Sequence, residues 1–342
     1  MTENFTPGQL VRRLLQGIAP PRPLFLPIVF SSGARIENQP LPAFLANPTK
    51  ICSAQRQLRG ALRTDGYSCY FDSFLEVEAL GATLQWGTAD KGPAVRWPDG
   101  AEPGEMSGDL HSPEEAVHAG RVPVALEVLR RMKTMGRDDA ILMAGVVGPF
   151  TLAARITQLE AGGAWRTREI PESAVEVAAA SIAKISGAFA EAGAGLIMIQ
   201  EDLLPCFSQG WFASWVSALE PVFNVIRFYE ALPVLQLCGD GFATNSLEIL
   251  QRSWDCVLCP SLREMPSQLA EAMSEWSPAA RGLAVPLETF RLDDSALQVS
   301  REDLGRAVST LRPAILTTAG DVPPMTDMKR LDKVLQEIPR SY

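Results

Sequence analysis

The sequence is short of histidine. It has only two in 342 residues, His111 and His118, both on a polar stretch where exposure to solvent is expected. Any mechanism that draws a histidine from the later two thirds of the chain is thereby excluded. Positive charge is also scarce: 31 lysines and arginines stand against 40 aspartates and glutamates, a formal net charge of −9. That balance argues against nucleic acid or an anionic membrane surface as a general partner. No unbroken apolar run approaches the ~20 residues that a membrane-crossing helix needs. The opening segment MTENFTPGQLVRRLLQGIAPPRP reads as an amphipathic helix followed by a proline stop, without the charged-then-apolar order of a leader. The six cysteines are scattered, which suits reduced thiols, and a cytoplasmic protein is expected. Walker A, GxSxG and HExxH motifs are absent, as is the paired CxxC spacing of a metal knuckle.

What the chain does have is alternation. Apolar residues make up 46% and charged residues 21%, enough for a large core. Short apolar, β-branched runs recur at Leu24–Phe30, Tyr67–Phe71, Ile141–Val147, Leu196–Gln200, Val234–Cys238, Cys256–Cys259, Leu283–Val285 and Ala314–Thr318. Continuous apolarity of this kind suits parallel strands buried on both faces. Helical patterns follow them, among others at Glu172–Ala192, Trp211–Tyr229, Pro266–Ser274, Arg301–Leu311 and Asp327–Ile338. Eight strand–helix pairs predict a (β/α)8 TIM barrel, with a doubly wound open sheet as the competing topology. The segment Gly81–Trp97 interrupts the alternation with two short runs around turn residues, which predicts a hairpin inserted after the second strand. One domain spanning 1–342 is the simplest organisation.

In barrels of this class the chemistry sits at the C-terminal ends of the strands. Those ends carry Ser31, Ser32 and Arg35, then Asp72, then Gly148-Pro149-Phe150, then Glu201 and Asp202. They continue with Gln236 to Asp240, Cys259, and Ala319-Gly320-Asp321. Asp72 has two readings, a catalytic carboxylate or the cap of the helix that follows. Glu76 and Glu78 read as surface charges or ion-pair partners. Cys256 and Cys259 form a CxxC, but on a strand alternation turns their side chains to opposite faces, so buried structural cysteines are expected.

Several segments, in order along nearly the whole chain, resemble the uroporphyrinogen decarboxylase superfamily. PRPLFLPIVFSSGAR at 21–35 is similar to its opening strand, FLANP at 44–48 to the helix before its second strand, and YFDSFLEVEALG at 70–81 to its aspartate segment. GPFTLA at 148–153, AGAGLIMI at 192–199, LPVLQLCG at 232–239 and AGDVPPMTD at 319–327 are similar to its later strand-end segments. The resemblance implies the same barrel with a tetrapyrrole-handling cleft. It implies that Asp72 is the central aspartate and that Arg35 is one of two carboxylate-binding arginines, the other position being Ser31. Arg155 stands where the decarboxylases have a tyrosine, and Ala319 where they have a histidine.

The superfamily's second branch, the cobamide-dependent methyltransferases, is similar at EVEALGA and GPFTLA. Those enzymes bind zinc through His-x-Cys on the fifth strand and Cys at the eighth; here Gln236, Cys238 and Ala319 stand at those positions. The resemblance therefore implies no resident cofactor. Were zinc held at all, Gln236, Cys238 and Cys259, with Asp240 in reserve, would have to rebuild the site. Three functions stay open: cofactor-free decarboxylation of a tetrapyrrole or related acidic substrate, placed first; corrinoid-dependent methyl transfer with a separate corrinoid protein; and a non-catalytic tetrapyrrole- or corrinoid-binding barrel. The expected site is catalytic Asp72 with Arg35, Arg155, Ser31, Phe150, Glu201 and Asp202 facing a small-molecule substrate. A homodimer is left open.

Overall fold

The computed structural model describes residues 5–87, 93–98, 104–135, 139–206, 210–261, 273, 275–286, 301–324 and 326–337. The strands are β1 (Leu24–Phe25), β2 (Gly66–Tyr70), β3 (Thr83–Gln85), β4 (Ala94–Arg96), β5 (Ile141–Val147), β6 (Leu196–Glu201), β7 (Leu232–Leu237), β8 (Val257–Pro260), β9 (Gly282–Val285) and β10 (Ile315–Thr318). Helices alternate with them. The first half holds α1 (Pro7–Leu15), α2 (Ser32–Ile36), α3 (Leu41–Leu45), α4 (Pro48–Leu62), α5 (Leu75–Ala79), α6 (Pro113–Ala116) and α7 (Val122–Met135). Then come α8 (Pro149–Ile156), α9 (Glu172–Ala192), α10 (Trp211–Phe228), α11 (Asp240–Leu250), α12 (Arg301–Leu311) and α13 (Met328–Glu337). The expected helix at Pro266–Ser274 lies outside the described residues except for Met273.

Among the described residues, eight parallel strands follow barrel order. One sheet runs β2-β5-β6-β7-β8 and a second runs β9-β10-β1. Isolated parallel bridges, Leu258 to Arg281 and Ser261 to Ala284, join β8 to β9. Every residue of β5, β6 and β7 is buried, which explains why these strands read as unbroken apolar runs.

The remaining seam, between β1 and β2, carries no strand ladder among the described residues and is joined by one backbone bond, from Asp65 N to the Phe25 carbonyl at 2.9 Å, and by side chains. Asp65 accepts the Phe25 N–H at 2.8 Å, and Ser68 Oγ accepts from Val29 N at 3.3 Å while donating to the Pro27 carbonyl at 3.2 Å. Here the structure corrects the predicted first strand, because the ladder covers only Leu24–Phe25 of Leu24–Phe30. Pro27 has no N–H to give. Beyond it, Ile28 N bonds Thr318 Oγ1 at 2.9 Å, and Phe30 N and Ser31 N both bond the Asp321 carboxylate at 2.8 Å. The backbone groups are satisfied, but by side chains rather than by a neighbouring strand.

The inserted hairpin is present: β3 and β4 pair antiparallel, with Thr83 opposite Arg96 and Gln85 opposite Ala94. Among the described helices α9 alone is long and apolar enough to cross a membrane by composition. It is a core helix instead, two thirds buried over its most apolar stretch and packed on α7, α8 and α10.

Candidate active site

Asp72 follows β2, where a bulge at Ser68–Tyr70 breaks the register with β5. Its Oδ1 accepts the Phe74 N–H at 3.1 Å and its carbonyl accepts from Leu75 N at 3.1 Å, so it caps the turn into α5, the second of its two readings. Its Oδ2 lies 2.5 Å from Nη1 of Arg121, with the two side chains 5% and 11% exposed. Arg121 Nε also reaches Glu78 Oε2 at 2.7 Å, and the guanidinium sits 5.6 Å from the ring centre of Trp86, next to β3 of the hairpin. Neither Nη atom of Arg121 has an aligned hydrogen-bond acceptor among the described residues, so the contact with Asp72 is chiefly a pairing of charges. Burial raises the Asp72 carboxyl above the usual range, and the Arg121 charge pulls it back. Glu78 is thus an ion-pair partner. Glu76 is not a surface charge: it is fully buried, takes the Val147 N–H at 3.2 Å, and is pushed up to about 8 by burial.

Glu201, at the end of β6, is also fully buried. Thr151 N and Thr151 Oγ1 each donate to its Oε1 at 2.6 Å, while Trp215 Nε1 at 2.8 Å and Phe150 N at 3.3 Å donate to Oε2. Burial pushes its carboxyl up to about 7 despite those donors. A Cβ at Gly148 would collide with this carboxylate, which accounts for the glycine there. Glu201 therefore pins the start of α8 to β6, and its oxygens are spent on that task. Thr151 Oγ1 in turn accepts from Asp202 N at 3.0 Å and Leu203 N at 3.2 Å, fixing the next residue of the mouth.

Asp202 and Cys238 meet above β6 and β7, with Cys238 Sγ 2.7 Å from Asp202 Oδ1. Burial raises the Asp202 carboxyl; the thiol contact and the Arg155 charge oppose this. Gln236 is fully buried: its Oε1 accepts from Gln200 Nε2 at 2.7 Å, and its Nε2 donates to the Thr318 carbonyl across the barrel. Cys259 is fully buried against Gly282, where any Cβ would strike its sulfur, and Cys256 is buried too. Of the donors implied for zinc, Cys238 stands beside a carboxylate outside that set, Asp202, while Gln236 is engaged elsewhere, Cys259 is sealed away, and Asp240 pairs with Arg166 at 3.0 Å. No group of three metal-binding side chains occurs among the described residues. A tetrahedral zinc site needs four ligands, and these residues do not fit it.

The two arginines expected in the cleft are differently placed. Arg155, 5% exposed, pairs through Nε with Glu160 Oε2 at 2.9 Å, bonds the Ser73 carbonyl through Nη1, and stacks 4.7 Å over Phe74. Arg155 thus pairs with a nearby acid on its own side of the barrel mouth. Its charge nevertheless acts on both Asp72 and Asp202. Arg35 is exposed on α2 and donates to the Thr326 carbonyl at 3.1 Å. Ser31 is buried, with its Oγ donating to the Val322 carbonyl at 3.1 Å. Asp321 is pushed up to about 7 by burial, and the Asp72 charge adds to this. Phe150 lies edge-on to Trp211 with ring centres 5.8 Å apart. The mouth thus gathers Asp72, Arg155, Asp202, Cys238 and Asp321. Arg121 escaped the sequence reading because it precedes a helix rather than ending a strand, and nothing local marks it.

Comparison with known proteins agrees with this architecture. A family model described as Uroporphyrinogen decarboxylase (URO-D) matches residues 6–248. The chain belongs to this family. Among curated URO-D relatives, "Methylcobamide:CoM methyltransferase MtaA" of Methanosarcina barkeri (strain Fusaro / DSM 804) is 25% identical over 166 residues, 47% of this chain and 48% of that protein. "Methylated-thiol--coenzyme M methyltransferase" of Methanosarcina mazei is 31% identical over 104 residues, 30% of this chain and 27% of that protein. The matches span at most about half the length of these relatives. A solved methyltransferase from Methanosarcina mazei superposes with a TM-score of 0.75 at 19% identity, covering 98% of each chain. A B12-independent methionine synthase from Shewanella sp. W3-18-1 gives 0.53 at 12% identity over 94% of this chain and 93% of that one. At these identities the two structures establish the fold.

Proposed function

We propose that this URO-D family protein is a methyltransferase that works with a separate corrinoid protein and a small nucleophilic acceptor. The observation that carries this reading is the closure of Asp72 by Arg121. A decarboxylase would need that carboxylate as the open counter-charge to a protonated pyrrole. Here Oδ1 accepts from Phe74 N, and Oδ2, which has no aligned hydrogen-bond donor among the described residues, is neutralised by the Arg121 guanidinium beside it. The methyltransferase names of the relatives point the same way. Methylcobamide bound to the partner protein would supply the methyl group. Within this chain Asp202 takes the proton of the acceptor, a role suited to a carboxyl whose proton affinity is raised by burial. Cys238 orients that carboxylate from the adjoining strand end, and Arg155 sets the charge between Asp72 and Asp202.

The test offers the purified protein a methylated corrinoid protein with a panel of small thiols, and separately offers it uroporphyrinogen. Methylated thiol formed with loss of the methyl-corrinoid absorbance, and reduced in Asp202→Asn, is the expected result. Release of CO2 from uroporphyrinogen without methyl transfer would overturn the reading and restore the decarboxylase.

A further inference from the structure

We infer that the basic groove between α4 and α7 docks a short acidic segment of a partner protein. The groove lies on the outer wall of the barrel, toward the starts of β2 and β5 and away from the mouth. The inference therefore does not depend on the methyl-transfer reading.

Charge defines the partner. In a chain of net charge −9, α4 and its cap residue hold Lys50, Arg56, Arg59 and Arg63 and no acid. Packed beside it, α7 adds Arg130, Arg131 and Lys133 against a single acid, Glu127. The acids in reach are already used: Glu37 pairs with Lys50 at 2.8 Å, Glu127 with Arg131 at 2.7 Å and Asp139 with Arg59 at 3.4 Å. Arg56 and Arg130 are left over. Both are exposed and line the groove, and neither guanidinium has an ion-pair or hydrogen-bond partner among the described residues. Complementing a helix dipole accounts for a basic residue in the last turn, which here means Arg59 and Lys133. Arg56 and Arg130 stand earlier in their helices, so that account does not reach them. A cationic groove in an acidic protein attracts an anion that the overall charge repels.

Shape narrows the choice. The groove has a volume of about 980 Å³ and reaches down to Cys52, which is 5% exposed, and to half-buried Tyr67. Its walls are fixed, since Arg131 Nη1 donates to Thr49 Oγ1 of the facing helix at 2.8 Å and Arg59 stacks 5.0 Å over Tyr67. The lining runs from Thr49 to Gln57 on α4 and from Glu127 to Met135 on α7, in each case a length of about 12 Å at 1.5 Å per residue. That length takes about four residues of extended chain or about two turns of helix. A nucleic acid or an anionic bilayer carries its charge well beyond this span and would also meet the acidic remainder of the protein. A single inorganic anion would leave most of the groove empty. A few carboxylates on one short segment match both the length and the guanidinium forks.

Fluorescence anisotropy with fluorescein-labelled octaglutamate, on the full chain at low ionic strength, tests this. Saturable binding is expected, weakened roughly tenfold or more by Arg56→Glu with Arg130→Glu. Both positions are exposed, so the variant should keep the wild-type circular dichroism. Arg12→Glu with Arg252→Glu makes the same change in net charge elsewhere on the surface and should bind as the wild type does. Equal weakening by this second pair would show a response to overall charge alone and overturn the inference. So would full displacement of the peptide by inorganic phosphate at the same concentration, or tighter binding of an oligothymidylate strand or of phosphatidylserine vesicles. Absence of saturable binding to the wild type would overturn it as well.

Discussion

Arg121 and Asp72, 49 positions apart in the sequence, stand 2.5 Å apart through Nη1 and Oδ2 in a setting where both side chains are nearly sealed from water. Removing one member of a buried pair strands the other charge, which costs about 3–5 kcal/mol. Arg121→Met should destabilise the fold by about that amount, measured by chemical denaturation. Adding Asp72→Asn should recover a large part of the loss, since no charge is then left buried alone. A single-variant loss below about 1 kcal/mol would show that Asp72 is solvated or neutral in the folded protein.

Glu76 carries a pH signature with a definite sign. Its folded carboxyl is pushed up to about 8 by burial, against 4.5 when unfolded. The folded state therefore holds this proton more tightly. The stabilisation is complete below about pH 4.5 and is lost as the pH rises through about 8. Glu76→Gln stays neutral throughout, so its stability relative to wild type should increase between about pH 5 and about pH 9. The increase should amount to a few kcal/mol, at about 1.4 kcal/mol per tenfold change in proton affinity. A difference that stays flat with pH would place Glu76 in contact with water.

How much of this was legible beforehand follows from which interactions are local. The barrel strands announce themselves because burial on both faces forces unbroken apolar runs, as in Ile141–Val147. The hairpin announces itself through two short alternating runs around turn residues. The loss of the first strand's ladder depends on where Thr318 and Asp321 arrive, some 290 positions away, and no window of sequence contains that. Asp72, Asp202 and Cys238 were visible as strand ends. Their partners were not, because Arg121 enters from the front of a helix and Thr151 from the first turn of α8.

Thr151 ties Glu201 to Asp202 through one hydroxyl, which donates at 2.6 Å and accepts at 3.0 Å. Thr151→Val keeps the shape and removes both of these bonds together with the one from Leu203 N. With a buried carboxylate losing a donor, a loss of about 1.5–3 kcal/mol is expected on denaturation. Methyl-transfer activity should fall further than stability alone explains, because Asp202 loses its anchor. Activity unchanged in the folded variant would remove Asp202 from the reaction.

The cysteines should divide by exposure. Cys52, Cys69, Cys256 and Cys259 are buried, whereas Cys206 and Cys238 are partly exposed. Brief alkylation of the native protein followed by peptide mass analysis should mark Cys206 and Cys238 first. An ionised carboxylate against the thiol opposes formation of the reactive thiolate, so Asp202→Asn should speed alkylation of Cys238 while leaving Cys206 unchanged. Equal rates at Cys238 in both proteins would mean that its contact with Asp202 does not persist in solution.

The last prediction rebuilds what the barrel lacks. Gln236 spans the interior to the Thr318 carbonyl, which places position 236 next to position 319. Cys238 lies two residues further along the same strand end, so the three positions at which the resemblance implies zinc ligands converge here even though two of their residues do not ligate. Purified wild-type protein should hold well under one zinc per chain by elemental analysis, since a thiol and a carboxylate fall short of the four ligands of a closed site. Gln236→His combined with Ala319→Cys should gain one zinc per chain with water in the fourth position, and Cys238→Ala in that background should abolish the gain. The imidazole would lose the hydrogen bonds that Gln236 makes to Gln200 and Thr318, so a drop in stability without metal, relieved by zinc, is expected alongside. One zinc in the wild type, lost in Cys238→Ala, would show that Cys238 and Asp202 already recruit further ligands. Failure of the double variant to bind zinc would show that these positions do not converge as the structure places them.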